Sequence, residues 1–348
     1  MGEARTDKAM VEPKSLASQV MLNLVYVSIW IGLSGTVILY NKWILAYYGF
    51  PYPIALTIWH MTFSSALAFA VVRLGYVEAC NMSAETYVKA VVPIGACFAG
   101  TLWLGNAAYL YLSVSFIQML KALMPVAVFI VGCVLGTESY DQNTMANMLV
   151  VSAGVAIASY GEINFVVIGV MLQMISICTE STRLTLVQIL LQSRGLKLNP
   201  VTTLYYIAPC SAGFLLVPFA LLEAKVLFND PQVNYDVFTF LSNAAAAFAL
   251  NMAVFLLIGK TSALTMNIAG VVKDWLLIGL SVFLFHSAVT SINLGGYMVA
   301  FLGVCWYNYR KLQNMKKKQA EKEAAKNALD DDDITKPLKN GQNGLSKA

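Results

Sequence analysis

The sequence predicts an all-α integral membrane protein, with ten transmembrane helices arranged as two inverted five-helix repeats. Three observations predict it. Of 348 residues, 58% are hydrophobic and 12% charged, and mean hydropathy is +0.65; soluble chains run nearer ~45–50% apolar and ~25% charged. The apolar residues fall in runs of about 20, the helical length that crosses a ~30 Å bilayer core. Two lysines, Lys121 and Lys273, sit inside the fourth and ninth of these runs.

The expected spans of the first half are Val20–Tyr40, Pro53–Val72, Val91–Tyr111, Ser115–Leu135 and Thr144–Tyr160. Those of the second are Val166–Leu191, Leu204–Leu222, Val237–Ile258, Ser262–Phe285 and Ile292–Tyr309. Turn chemistry punctuates them: Tyr48-Gly49-Phe50-Pro51, Gly161-Glu162-Ile163-Asn164 and Leu198-Asn199-Pro200. No connection is long enough for a soluble domain. The organisation is a cytosolic N-tail over 1–18, one repeat over 19–160, a second over 161–310, and a disordered cytosolic C-tail over 311–348. Small-residue spacings such as Gly154-xxx-Ala158 and Gly296-xxx-Ala300 predict close helix approach.

Basic residues set the orientation. Both tails and the connections on their side hold 18 of the 23 Lys and Arg; the opposite side holds Lys42 and Lys225. Both termini are therefore expected in the cytosol. The net charge of +4 resides mostly in the C-tail, which argues against nucleic acid as a partner. Two histidines leave little room for a His-built metal site, and six cysteines without a CxxC suggest neither metal nor disulfide framework. No cofactor is expected.

Ionisable groups in mid-span are costly and mark function by default. At ~1.5 Å per residue, Lys121 lies ~9–12 Å below the lumenal start of its helix, and Lys273 ~13 Å from the lumenal side of a ~30 Å core. The two ammonium groups come from opposite faces to similar depth. Asp274 is a partner for Lys273, and Glu180 and Arg183 are spaced to pair with each other. Lys121 is left for an anion from outside, and phosphate suits a lysine point charge. Asn106, Gln118, Asn251 and Asn267 are polar residues in spans that would complete the site; an interhelical hydrogen bond explains each equally well. His60 reads as a satisfied structural histidine.

With those residues in view, the chain over about 18–312 resembles the triose-phosphate/nucleotide-sugar transporter family of the drug/metabolite transporter superfamily. The resemblance is carried by Tyr40-Asn41-Lys42, Phe50-Pro51-Tyr52-Pro53, His60, Asn106, Ser113-Val114-Ser115-Phe116, Lys121 to Pro125, Arg183, Lys260 to Thr265 and Gly270 to Trp275. The Lys273-Asp274 pair is similar to the plant group named for that pair, described as probable sugar-phosphate/phosphate translocators. The resemblance implies ten helices, exchange without ATP, phosphate on Lys121 and Lys273, and a Golgi or other endomembrane home. Plastid members carry arginine after the second lysine; here Asp274 cancels charge instead. That departure favours a larger ligand, a UDP-linked sugar exchanged for a nucleoside monophosphate, with sugar-phosphate/phosphate exchange as the alternative. Lipid and the phosphorylated or nucleotide-linked sugar are the expected partners, in a monomer or homodimer. A polytopic enzyme would need a catalytic cluster at a membrane surface, and the sequence offers none.

Overall fold

The structure, a computed structural model, describes residues 16–79, 82–194, 200–260 and 263–339, and only the backbone of 16–20, 190–194, 200, 255–260, 263–268, 315, 318–319 and 321–339. Among the described residues it is entirely helical. The helices are α1 Leu16–Ala46, α2 Pro53–Arg73, α3 Ala84–Tyr111, α4 Val114–Lys121, α5 Met124–Val134 and α6 Gln142–Tyr160. They continue with α7 Val167–Arg194, α8 Val201–Asn229, α9 Val237–Lys260, α10 Ala263–Phe285 and α11 Ser291–Lys339. Six stretches, namely α1 from Met21, α2, α3, α4 with α5, α8 and the first part of α9, are long and apolar enough to cross a membrane.

Local chemistry accounts for the helix starts. Ser113, Asp141 and Asp236 accept hydrogen bonds from the backbone N–H three residues on, at 3.1, 2.9 and 2.8 Å, which satisfies a donor that the first turn leaves free. Pro53 opens α2, where a missing N–H costs nothing. The next two donors of α2 are satisfied from another helix. Ile54 and Ala55 N–H donate to the Glu223 carboxylate at 2.9 and 2.8 Å, and Tyr52 donates to Asp230 at 2.7 Å. The start of α2 is thereby pinned to the end of α8.

Two expectations change here. The fourth span is broken after Lys121 into α4 and α5. The C-terminal tail expected to be disordered past residue 310 continues α11 as helix through Lys339. Its Lys-, Glu- and Ala-rich composition has high helix propensity, and Lys311 reaches Glu138 at 3.1 Å, tying it to the link between α5 and α6. Residues 1–15 and 340–348 of the expected tails lie outside the described residues.

Packing pairs α6 with α11, α3 with α7, α2 with α8, α1 with α9 and α4 with α10. The α6–α11 contact is the tightest to read. A Cβ added to Gly154 would lie 2.8 Å from the Gly296 carbonyl oxygen, and one added to Gly296 would lie 2.7 Å from that of Gly154. The backbones touch, so a side chain at either position forces the helices apart. Gly296→Val should cost about 1–3 kcal/mol or more and lower the melting temperature of the detergent-solubilised protein. Gly279→Ala, where nothing lies within 4 Å of the added atom, should not. Equal melting temperatures would exclude this contact as a structural determinant.

Candidate functional site

Lys121 ends α4, and the chain tightens immediately after it. Ala122 N–H donates to Met119 O at 3.1 Å and Leu123 N–H to Leu120 O at 3.0 Å, one residue closer than α-helical spacing. Pro125 then stands in the first turn of α5. It lacks the N–H that the Lys121 carbonyl would accept in a continuous helix. The break therefore leaves Lys121 at the C-terminal end of a short helix, where the dipole favours a cation. The side chain is half-buried. Among the described residues its ammonium has neither ion pair nor hydrogen bond. Asp274 and Glu180 act on it through space, and Lys273 lies within electrostatic range.

The other charges are matched. Lys273 Nζ is 3.5 Å from Asp274 Oδ1 and 5.4 Å from the Trp30 ring centroid. Arg183 grips Glu180 with both forks, Nε to Oε2 at 2.7 Å and Nη2 to Oε1 at 2.6 Å, and stacks over Phe98 at 5.1 Å.

Lys121 lines a cavity of about 330 Å³ bounded by α1, α3, α5 and α7. Asn41, Thr101, Asn106, Gln173 and Glu180 form its polar wall. Part of that wall is a chain of amides that runs across four helices. Asn243 Nδ2 donates to Asn41 Oδ1 at 2.9 Å, Asn41 Nδ2 to Asn106 Oδ1 at 3.2 Å, and Asn106 Nδ2 to Thr57 Oγ1 at 3.0 Å. His60 closes the far end on Asn243 Oδ1. Next along α1, Lys42 is buried and caps α3, donating to the carbonyls of Tyr109 at 2.6 Å and Leu112 at 3.1 Å. It is a buried helix cap rather than a loop charge. A second cavity of about 410 Å³ between α5, α6 and α7 is lined almost wholly by apolar side chains and offers no charge to a ligand.

The candidate residues thus separate. Lys121 lines the cavity; Lys273 and Asp274 stand within electrostatic range of it but do not line it. Asn106 lines it with both ends of its amide engaged. Gln118 is fully buried on α4 with neither amide atom partnered among the described residues, and it lies off the cavity. Asn251 donates to Ala247 O of its own helix at 2.9 Å. The side chain of Asn267 lies outside the described residues, as do those of Lys260, Thr261 and Ser262. Sequence reasoning passed over Asn243 and Gln173. Both are mid-span amides, and nothing in one dimension separates them from ordinary interhelical glue.

The comparisons bear on this site. The family model of the Triose-phosphate Transporter family matches residues 21–308. The chain belongs to that family. Three Arabidopsis thaliana proteins, each named "Probable sugar phosphate/phosphate translocator", are 54%, 53% and 54% identical to it. These alignments cover 90%, 89% and 87% of this chain and 91%, 90% and 88% of the respective relatives. This triose-phosphate transporter family member is a multi-pass membrane protein, and its cavity lies among helices of the matched region.

The amide chain carries a prediction. Asn41→Leu would strand the Asn106 carbonyl and the Asn243 amide, each buried orphan costing about 1–3 kcal/mol. The purified variant should melt several degrees below wild type. An unchanged melting temperature would mean that this chain does not hold α1 to α3 and α9.

Proposed function

We propose that this protein is a secondary antiporter that exchanges a monosaccharide phosphate for inorganic phosphate across an endomembrane. The observation that carries the reading is the Lys121 ammonium, unpaired among the described residues, on the wall of a cavity that also carries amide and hydroxyl side chains, with Lys273 in electrostatic range. A half-buried cation in mid-span, without an ion pair among the described residues, calls for an anionic ligand. The relatives named as sugar phosphate/phosphate translocators support phosphate as that anion.

Size and charge favour this over the nucleotide-sugar expectation. At about 330 Å³ the cavity is at the lower end of the ~300–1,000 Å³ of small-molecule sites. That suits a phosphorylated monosaccharide better than a base, ribose, diphosphate and sugar together. Asp274, whose charge is the ground for expecting a larger ligand, is engaged by Lys273 and lies off the cavity.

The packing supports two inverted five-helix repeats. Exchanging each span for the one five further on, with α4 and α5 as one span, maps the pairs α2–α8, α6–α11 and α4–α10 onto themselves and α1–α9 onto α7–α3. The cavity would then sit where repeats meet, as in many carriers. The distribution of basic residues supports cytosolic termini.

Exchange follows from the same cation. An empty carrier would have to reorient with Lys121 uncompensated in a low-dielectric setting, which is costly. Uptake of labelled phosphate into proteoliposomes preloaded with phosphate should far exceed uptake into empty ones. Equal rates would refute coupled exchange. At matched membrane abundance, Lys121→Ala should lower counterflow by roughly 100-fold, the loss expected for a buried charge-assisted contact, and Lys273→Ala, which removes a charge acting from outside the cavity, should lower it less. Near-normal counterflow in Lys121→Ala would remove the cavity as the phosphate site.

Asp274 sets the charge of the pair. Asp274→Arg replaces an anion beside Lys273 with a second cation and should shift preference towards small dianions such as inorganic phosphate. The ratio of phosphate to sugar-phosphate counterflow measures this, and an unchanged ratio would strip Asp274 of any selectivity role.

A further inference from the structure

Most polar side chains on the cavity wall already have partners inside the protein. Asn41 and Asn106 belong to the amide chain, and Glu180 is held by Arg183. Thr101 donates to Cys97 O and Thr179 Oγ1, and Ser176 donates to Thr101 O. Apart from Lys121, two wall residues are left over among the described residues: the hydroxyl of Tyr109 and the carboxamide of Gln173. Gln173 is 1% exposed, and its Oε1 is buried without a donor. An orphaned buried carbonyl is costly, so its persistence calls for an explanation.

Position supplies one. Gln173, Ser176, Ile177 and Glu180 all line the cavity, spaced i, i+3, i+4 and i+7 along one stripe of α7. Gln173 is two turns, about 10 Å, from Glu180, the residue whose charge acts on Lys121. Lys121 and Gln173 line the same cavity, so a phosphate ester held at Lys121 brings its hydroxyl-bearing part into the space that Gln173 borders. The terminal carboxamide turns about a soft torsion, so an incoming hydroxyl can meet its carbonyl, its N–H, or both.

Building on the phosphate-carrier reading, we infer that Gln173 is the specificity-determining residue for the sugar moiety, pairing with hydroxyl groups of a phosphorylated polyol. Inorganic phosphate occupies the Lys121 end and does not use it. Among the described residues the cavity wall thus presents an unpaired cation, an unpaired carboxamide and the Tyr109 hydroxyl, the complement of a hydroxylated phosphate ester. A site built to hydrogen-bond a hydroxyl rejects ligands that lack one, because its own buried groups are then unpaired.

The test uses full-length protein in proteoliposomes, with glucose 6-phosphate and glycerol 3-phosphate as hydroxylated probes and inorganic phosphate as reference. Gln173→Leu and Gln173→Met should each lower counterflow of a hydroxylated probe about 10-fold or more at sub-saturating concentration, the loss of about one hydrogen bond in a buried site. Phosphate–phosphate counterflow should stay within about two-fold of wild type, which also reports that the variants are folded and inserted. An equal fall in phosphate and sugar-phosphate counterflow would overturn the inference and make Gln173 a structural residue. Wild-type protein that carries phosphate but neither probe would overturn it while leaving the lysine site intact. Wild-type protein that carries none of the three would overturn the underlying carrier reading as well. Thermal unfolding of wild-type protein gives an arm independent of the variants. At equal free concentration, the carried sugar phosphate should raise the melting temperature more than phosphate does, because the added pairing lowers its Kd; an equal or smaller shift would refute the pairing.

Discussion

Inside a bilayer a polar group has no water to fall back on, so each one is paired within the protein or is left at a cost of several kcal/mol. This constraint organises the structure. Asn243, Asn41, Asn106 and Thr57 hand hydrogen bonds from one helix to the next, and His60 closes the series. Lys42 spends its charge on two carbonyls at the end of α3. Glu223 spends its own on the first free donors of α2. Each of these groups ties together helices that hydrophobicity alone would not distinguish, because lipid tails solvate an apolar helix as well as another helix does. Between α6 and α11, glycine and alanine let two backbones meet, and Asn147 and Asn293 add hydrogen bonds to the carbonyls of Gly303 and Ala158 at 2.9 and 2.6 Å.

Against that background the unpaired groups stand out. Arg183 and Lys273 each have a carboxylate within 4 Å; Lys121 does not. Its tolerance in the protein rests on weaker support: the C-terminal end of α4, and the fields of Asp274 and Glu180 acting from a distance. Such support holds an ammonium in place without satisfying it, which is the condition for a ligand anion to bind and leave. A direct ion pair at Lys121 would compete with the ligand, whereas complete isolation would favour loss of the proton.

The break between α4 and α5 is what puts Lys121 there. A continuous helix through Pro125 would carry a kink and one unsatisfied carbonyl in its interior. Instead the turn tightens over Ala122 and Leu123 and the helix restarts. A broken helix exposes its end to the cavity, and irregular backbone at membrane depth is accommodated where it faces protein or a polar space.

The sequence by itself determined the class of the protein, the approximate positions of its helices and the presence of two lysines inside apolar runs. These are one-dimensional facts: a charge within twenty apolar residues is conspicuous wherever the chain goes, and helix length follows from bilayer thickness. Even the small-residue spacings of Gly154 and Gly296 announced a close contact, though not between which helices. Other features needed the third dimension. Pro125, four residues after Lys121, was visible, but the hydropathy of the run continues across it, so the break was not. Asn106, Asn251 and Gln173 look alike as amides in apolar helices. Only their neighbours distinguish an amide engaged at both ends, one folded back onto its own helix, and one left without a partner on a cavity wall. A hydrogen bond is a relation between two groups brought together by packing, and Asn41 and Asn243 are 202 residues apart in the chain. The tertiary structure therefore decided which polar residues pair within the protein and which, among the described residues, are left unpaired on a cavity wall.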